Sequence, residues 1–151
     1  MSNGLKQRIK TLQVLVKGSA ALGANHAACN LLIAEFDEVK GAVRLSANRR
    51  YLLQVLHSTR ALDGALKAFN THHAILRPKS YSLGAYLYDL HLHNNAGLGT
   101  LPKTRLDHFY NRIARERNRY MHQPGQYPSD KQEIMTLLAE MDSCLTEVLN
   151  L

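Results

Sequence analysis

The chain has 151 residues, 45% of them hydrophobic and 21% charged, which fits a single domain over 1–151 and excludes wholesale disorder. A formal charge of +7 points to a polyanionic partner, such as RNA, DNA or an acidic protein. Two cysteines, Cys29 and Cys144, cannot build a disulfide framework, lack metal-ligand spacing and sit among apolar neighbours, so they read as buried thiols in a reducing cytoplasm. No apolar run reaches the roughly 18 residues of a membrane span. Asn3, Gly4, Lys6, Gln7 and Arg8 interrupt any leader core. The expectation is a soluble, cytoplasmic protein.

Helical periodicity runs through the chain. Leu5, Ile9, Leu12 and Val16 mark a first helix, and Leu32, Phe36, Val39 and Val43 a second. Leu52, Val55, Leu56, Leu62, Leu66 and Phe69 mark a third, which the breakers Arg77, Pro78, Lys79 and Ser80 should end. Tyr81, Leu83, Tyr86, Leu87 and Leu90 suit a short helix. Asn94, Asn95, Gly97 and Gly99 form a loop, and Thr100 and Pro102 open a helix that runs to about His122. Ile134, Leu137, Leu138, Met141, Leu145, Val148 and Leu149 make a final stripe, with Ser129 and Gln132 as its capping box. No useful strand pattern exists. The fold class is therefore all-α, a compact bundle of five or six helices.

The penultimate helix breaks its own pattern. At about 100° per residue, Leu106, Phe109, Tyr110, Ile113, Tyr120 and Met121 share one arc, which is the buried stripe. Arg117 falls inside that arc. A guanidinium there must snorkel, pair with an acid, or bind an anion in a cleft, where its planar fork can grip a phosphate. Arg105, His108, Arg112, Arg115, Arg119 and His122 form an opposite, acid-free stripe that could steer a nucleic-acid backbone, although such a stripe is usually just a solvated face.

Residues 117–122 read Arg-Asn-Arg-Tyr-Met-His, or R-N-x3-H. This resembles the R-x4–6-H signature of the HEPN superfamily, in which a polar residue such as Asn often follows the arginine. Arg50 to His57 and Arg115 to His122 also fit the bare spacing. Only the Arg117 match has the asparagine, a place at the end of the long penultimate helix, and an arginine the wheel marks as misplaced. The resemblance implies a HEPN-like helical bundle and a metal-independent endoribonuclease, found in toxin–antitoxin, phage-defence and RNA-processing systems. It implies no cofactor. It also implies a homodimer that brings two copies of the motif into one composite cleft, and an antitoxin or regulatory protein as a further partner. In the branch paired with small nucleotidyltransferases, a modified tyrosine stands two positions after the histidine. Here that position is Pro124, which departs from the pattern of that branch.

The chemistry follows from the side chains. Histidine transfers protons near neutral pH, and arginine offers fixed charge and two hydrogen bonds to a phosphoryl group. His122 is the expected general base or acid, Arg117 the transition-state stabiliser, and Asn118 the residue that orients His122 or the phosphate. Arg105, Arg112, Arg115 and Arg119 are the expected RNA-binding set. Tyr51, His57, Glu35 and Asp37 are further polar candidates, while Tyr120 reads as core.

Metal hydrolysis is the weaker alternative. His72–His73 and His91–His93 point apart on a helix, and no H-E-x-x-H occurs. Serine or cysteine catalysis lacks a G-x-S-x-G elbow. The serious rival is a non-catalytic basic helical module that binds nucleic acid or an acidic protein. Residues 1–128 hold 18 basic and 7 acidic side chains, +11, and residues 129–151 hold 1 and 5, −4, so the closing helix should face outward or lie against basic neighbours.

Overall fold

The computed structural model describes residues 3–151. Among them every regular element is helical. Helix α1 is Asn3–Gly18, α2 the single turn Ala20–Gly23, α3 His26–Gly41, and α4 Ala47–His72. Then come α5 Leu83–Leu92, α6 Lys103–Phe109, α7 Arg115–His122 and α8 Lys131–Leu149. A π turn, Tyr110–Ala114, joins α6 to α7 in one rod. Apart from the α2 turn, this is the all-α arrangement the periodicity predicts.

The apolar stripes meet in one cluster. Ile9, Leu12, Phe36, Val55, Leu66, Leu90, Phe109, Ile113, Leu138 and Met141 are essentially sealed from solvent within it. Each such side chain contributes about 1.5–3 kcal/mol of burial. Helix α4 is the central post, touching α3, α5, α7 and α8. It approaches α3 closely at Gly64, where an added Cβ would lie 2.7 Å from Leu32 Cδ2. Cys29 and Cys144 are buried in this core, as expected.

Four boundaries differ from the sequence reading: α3 ends at Gly41, so Val43 falls in a following 3-10 turn, Ala42–Arg44; α5 starts at Leu83, so Tyr81 lies outside it and is exposed; the other two are in α4 and α8. Helix α4 stops at His72, before the Arg77–Ser80 breakers. Ala74 adopts φ 55°, and the N–H groups of Ile75 and Leu76 turn back to the Asn70 carbonyl, closing the helix early. Helix α8 is capped by Asp130 instead of Ser129: the Asp130 carboxylate accepts from Glu133 N–H at 3.0 Å. Ser129 donates from its hydroxyl and its backbone N–H to the Glu133 carboxylate.

The π turn changes which side chains face inward on this rod. Arg115 N–H reaches the carbonyl of Tyr110, five residues back, so the turn is wider than an α turn. A straight wheel does not carry through it. Leu106, Phe109, Ile113 and Tyr120 stay inward as expected. Tyr110, expected in the buried stripe, is 41% exposed. Its ring lies against Gly84 on α5, where a Cβ would come within 2.8 Å of Tyr110 Cε2. A side chain at position 84 would displace the ring.

Candidate active site

Helix α7 holds the R-N-x3-H residues. Arg117 is half-buried, as its wheel position suggests, because it follows Ala114 and precedes Tyr120 on the inward side. Its Nη1 donates to Asn118 Oδ1 at 3.1 Å. Asn118 therefore holds the arginine through its Oδ1, and no hydrogen bond joins it to His122 among the described residues. His122 is exposed, in the last turn of α7, and has no hydrogen-bond or ion-pair partner among the described residues.

Arg117 and His122 line two neighbouring depressions. Arg117 opens on a notch of about 230 Å³ between α7, α4 and the start of α5. His122 lines a wider, shallower depression of about 680 Å³ with Asn111, Arg115, Arg119 and Gln123. Asn118 lines both. Within one chain the His122 imidazole and the Arg117 guanidinium thus lie in two depressions that Asn118 borders on both sides.

The four arginines expected to bind RNA divide into two pairs. Arg105 is engaged by α8: its Nε and Nη2 donate to the Glu147 carboxylate at 2.6–3.0 Å, and its guanidinium lies 4.6 Å from the centre of the Phe109 ring. Arg119 donates to Glu116 at 2.6 Å and to the Tyr120 hydroxyl at 2.8 Å. By contrast, Arg115 makes only a neutral hydrogen bond to Asn111 Oδ1, and Arg112 has no hydrogen bond or ion pair among the described residues. His108, on the same stripe as Arg105, meets Glu140 at 2.6 Å. For Arg105 and His108 the acids missing from the stripe are supplied by α8; for Arg119 the acid is Glu116 of its own helix.

Tyr120 is structural. Its hydroxyl donates to Glu133 at 2.8 Å, linking α7 to the first turn of α8. Burial first, then that bond, push its hydroxyl far above the ordinary phenol range, so it stays protonated. Burial likewise pushes the Cys144 thiol up, far from a reactive thiolate.

The other polar candidates separate as well. Glu35 and His57 do come together, with Glu35 Oε2 2.7 Å from His57 Nδ1, and Glu35 Oε1 also holds Arg60 at 2.8 Å. Asp37 lies apart, paired with Lys40 and Gln13, whose hydrogen bonds hold its carboxyl below the usual range. Tyr51 sits under the Arg50 guanidinium, 5.9 Å from its ring centre. The paired histidines are occupied by structure: His91 Nδ1 meets Leu101 O and His93 Nε2 meets Gly99 O, each at 2.9 Å. Among the described residues no three His, Cys, Asp or Glu side chains gather as a metal-holding group.

The sequence reading missed the notch residues Arg60, Asp63 and Tyr81. Asp63 carries no hydrogen bond or ion pair among the described residues. Burial pushes its carboxyl above the usual range, and the Arg117 and Lys67 charges oppose that shift. A signal did exist. Asp63 is the only acid between Glu38 and Asp89, and it stands beside Leu62 on the apolar side of α4. Comparison with family models, with curated proteins and with solved structures finds no match to this chain.

Proposed function

We propose that this chain is a metal-independent endoribonuclease of the HEPN type, with Arg117, Asn118 and His122 as its reactive set. One observation carries the reading: on a helix where Arg105, His108 and Arg119 are matched by acids, Arg117 and His122 keep their hydrogen-bonding capacity toward solvent. A guanidinium drawn partly out of water gains most from a carboxylate partner. Arg117 is held instead by a neutral amide, which fixes its direction and leaves its charge available.

In the reaction, His122 takes the proton of a 2′-hydroxyl. The 2′-oxygen forms a bond to the adjacent phosphorus, and the bond to the 5′-oxygen breaks. The leaving 5′-oxygen takes a proton from water, and His122 releases the proton it took to solvent. The products are a 2′,3′-cyclic phosphate and a 5′-hydroxyl. Arg117 hydrogen-bonds the phosphoryl oxygens, where negative charge grows. Because Arg117 and His122 line separate depressions, a second copy of the chain placed against α7 would complete one cleft with residues from both. RNA is the substrate, and an antitoxin or regulatory protein is a further expected partner.

The test is cleavage of total RNA by the purified chain in the presence of a chelator. Activity should vanish in His122→Ala and Arg117→Ala, and growth arrest on expression should vanish with it. Full activity in a clean His122→Ala preparation sinks the assignment. Binding of RNA without any cleavage by the unaltered chain would make this a non-catalytic basic module.

A further inference from the structure

We propose that the notch beside Arg117 is a guanine-binding subsite that reads the base flanking the scissile phosphate. The inference rests on the ribonuclease reading above and names the specificity of that same site. Four features of the notch bear on it.

The first is size. About 230 Å³ is below the roughly 300 Å³ at which pockets for drug-sized ligands begin, and it suits one planar base. The second is its walls. Tyr81, 80% exposed, and Tyr110, 41% exposed, both border it. Tyrosine rings with a free face at the mouth of a notch are platforms for a base, because every nucleobase has a stacking face. Tyr110 is held there by two separate devices, the π turn and the bare backbone of Gly84.

The third is the Asp63 carboxylate. It is partly desolvated and lacks any hydrogen-bond donor among the described residues. A carboxylate is an acceptor only, with two oxygens side by side. Guanine alone offers two adjacent donors on its pairing edge, N1–H and N2–H. Adenine and cytosine place one amino group beside a ring nitrogen whose lone pair would repel the carboxylate. Uracil places one N–H between two carbonyls. The fourth is the cationic rim. Arg117 stands on one side, and Arg60, anchored by Glu35, on the other. Asn118 is shared with the depression of His122. A base seated between the tyrosines therefore leaves its phosphate at Arg117, next to the reacting side.

The experiment is a calorimetric titration of the whole chain with the four nucleoside 3′,5′-bisphosphates, run beside mapping of cut sites in total RNA. Guanosine bisphosphate should bind about 10-fold or more tighter than the other three, the discrimination of one bidentate base contact. Asp63→Asn, nearly isosteric, should erase that preference. Tyr81→Ala, at a position exposed enough to leave the fold alone, should weaken all four by a similar factor. Equal affinity for the four in the unaltered chain overturns the proposal. So does a guanosine preference that survives Asp63→Asn, which would make Asp63 a mere counter-charge for Arg117. The two readings fail separately. Cleavage without base preference removes the subsite and keeps the nuclease. Guanosine selectivity without cleavage keeps the subsite and removes the nuclease.

Discussion

The two halves of the α6–α7 rod carry similar cations and spend them differently. In α6, Arg105 and His108 face α8 and are matched there by Glu147 and Glu140. In α7, Arg117 and His122 face away from α8 and find no acid within bonding distance, while Arg115 meets only an amide. The first half uses charge to fasten one helix to another. The second half presents its cations except Arg119, which Glu116 of the same helix holds. A net charge of +7 is therefore no measure of the charge available to a polyanion, because the acids of residues 129–151 are spread over several partners: Glu147 and Glu140 on α6, Asp142 on Arg8 of α1, and Glu133 on Tyr120 of α7.

The largest expected effect separates the halves by activity. Alanine at Arg117 or His122 should lower cleavage by about 100- to 10,000-fold, the range for loss of a proton-transfer group or a charge stabiliser. Their melting temperatures should stay close to the parent's, since His122 is exposed and Arg117 bonds only its neighbour. Arg105→Ala should do the reverse and keep the rate. Equal losses at Arg105 and Arg117, in assays at matched folded fractions, would erase the division.

Affinity gives the next contrast. Each phosphate contact on a single strand adds about 0.7 to the slope of log affinity against log salt. Replacing both Arg112 and Arg115 should lower that slope by about 1.4 in a filter-binding series. Replacing Arg105 should leave it unchanged, because its fork is already filled by Glu147. A slope that falls with Arg105→Ala would mean that RNA displaces Glu147.

Stability gives a smaller one. The Arg105–Glu147 pair is bidentate yet about a third exposed on both sides, so it contributes about 0.5–1 kcal/mol. In a chain of this size that is about 1–4 °C in melting temperature. A double-mutant cycle between Arg105 and Glu147 should recover the coupling, and the same cycle between Arg117 and any acid of α8 should give none.

The helices were legible because their apolar spacing is regular. Ile9, Phe36, Leu66 and Leu138 recur with the helical period and are buried where the period puts them. Arg117 was legible for the same reason, as an exception within that period. The notch was not. It joins α4, the start of α5 and α7, which are far apart in sequence, and a single helix wheel holds no information about its neighbours. The π turn was hidden too, since nothing in Tyr110–Ala114 marks a wider turn, and so Tyr110 was placed inside. The Glu147 and Glu140 partners were half legible. The charge asymmetry said that α8 would meet cations, but not which ones.

The smallest effect concerns two carboxylates displaced in opposite directions. Burial raises the carboxyl of Asp63 above its ordinary 3.8, so the folded chain binds that proton more tightly than the unfolded chain does. Its ionisation therefore costs stability, and the cost grows as pH rises through 3.8 and beyond. Hydrogen bonds from Ser129 and Tyr120 lower the carboxyl of Glu133 below its ordinary 4.5. Its contribution is present above 4.5 and is lost as pH falls through that value toward its lowered folded one. Asp63→Asn should thus raise the melting temperature at pH 7, by about 1–2 °C, and Glu133→Gln should lower it by a similar amount. Both differences should shrink on acidification, because each parent carboxyl then carries its proton in the folded and unfolded states alike. A notch kept costly when empty is what a binding subsite requires, whereas a carboxylate that fastens α7 to α8 should be comfortable in the free chain. Shifts of the same sign at pH 7 would put Asp63 with the fasteners.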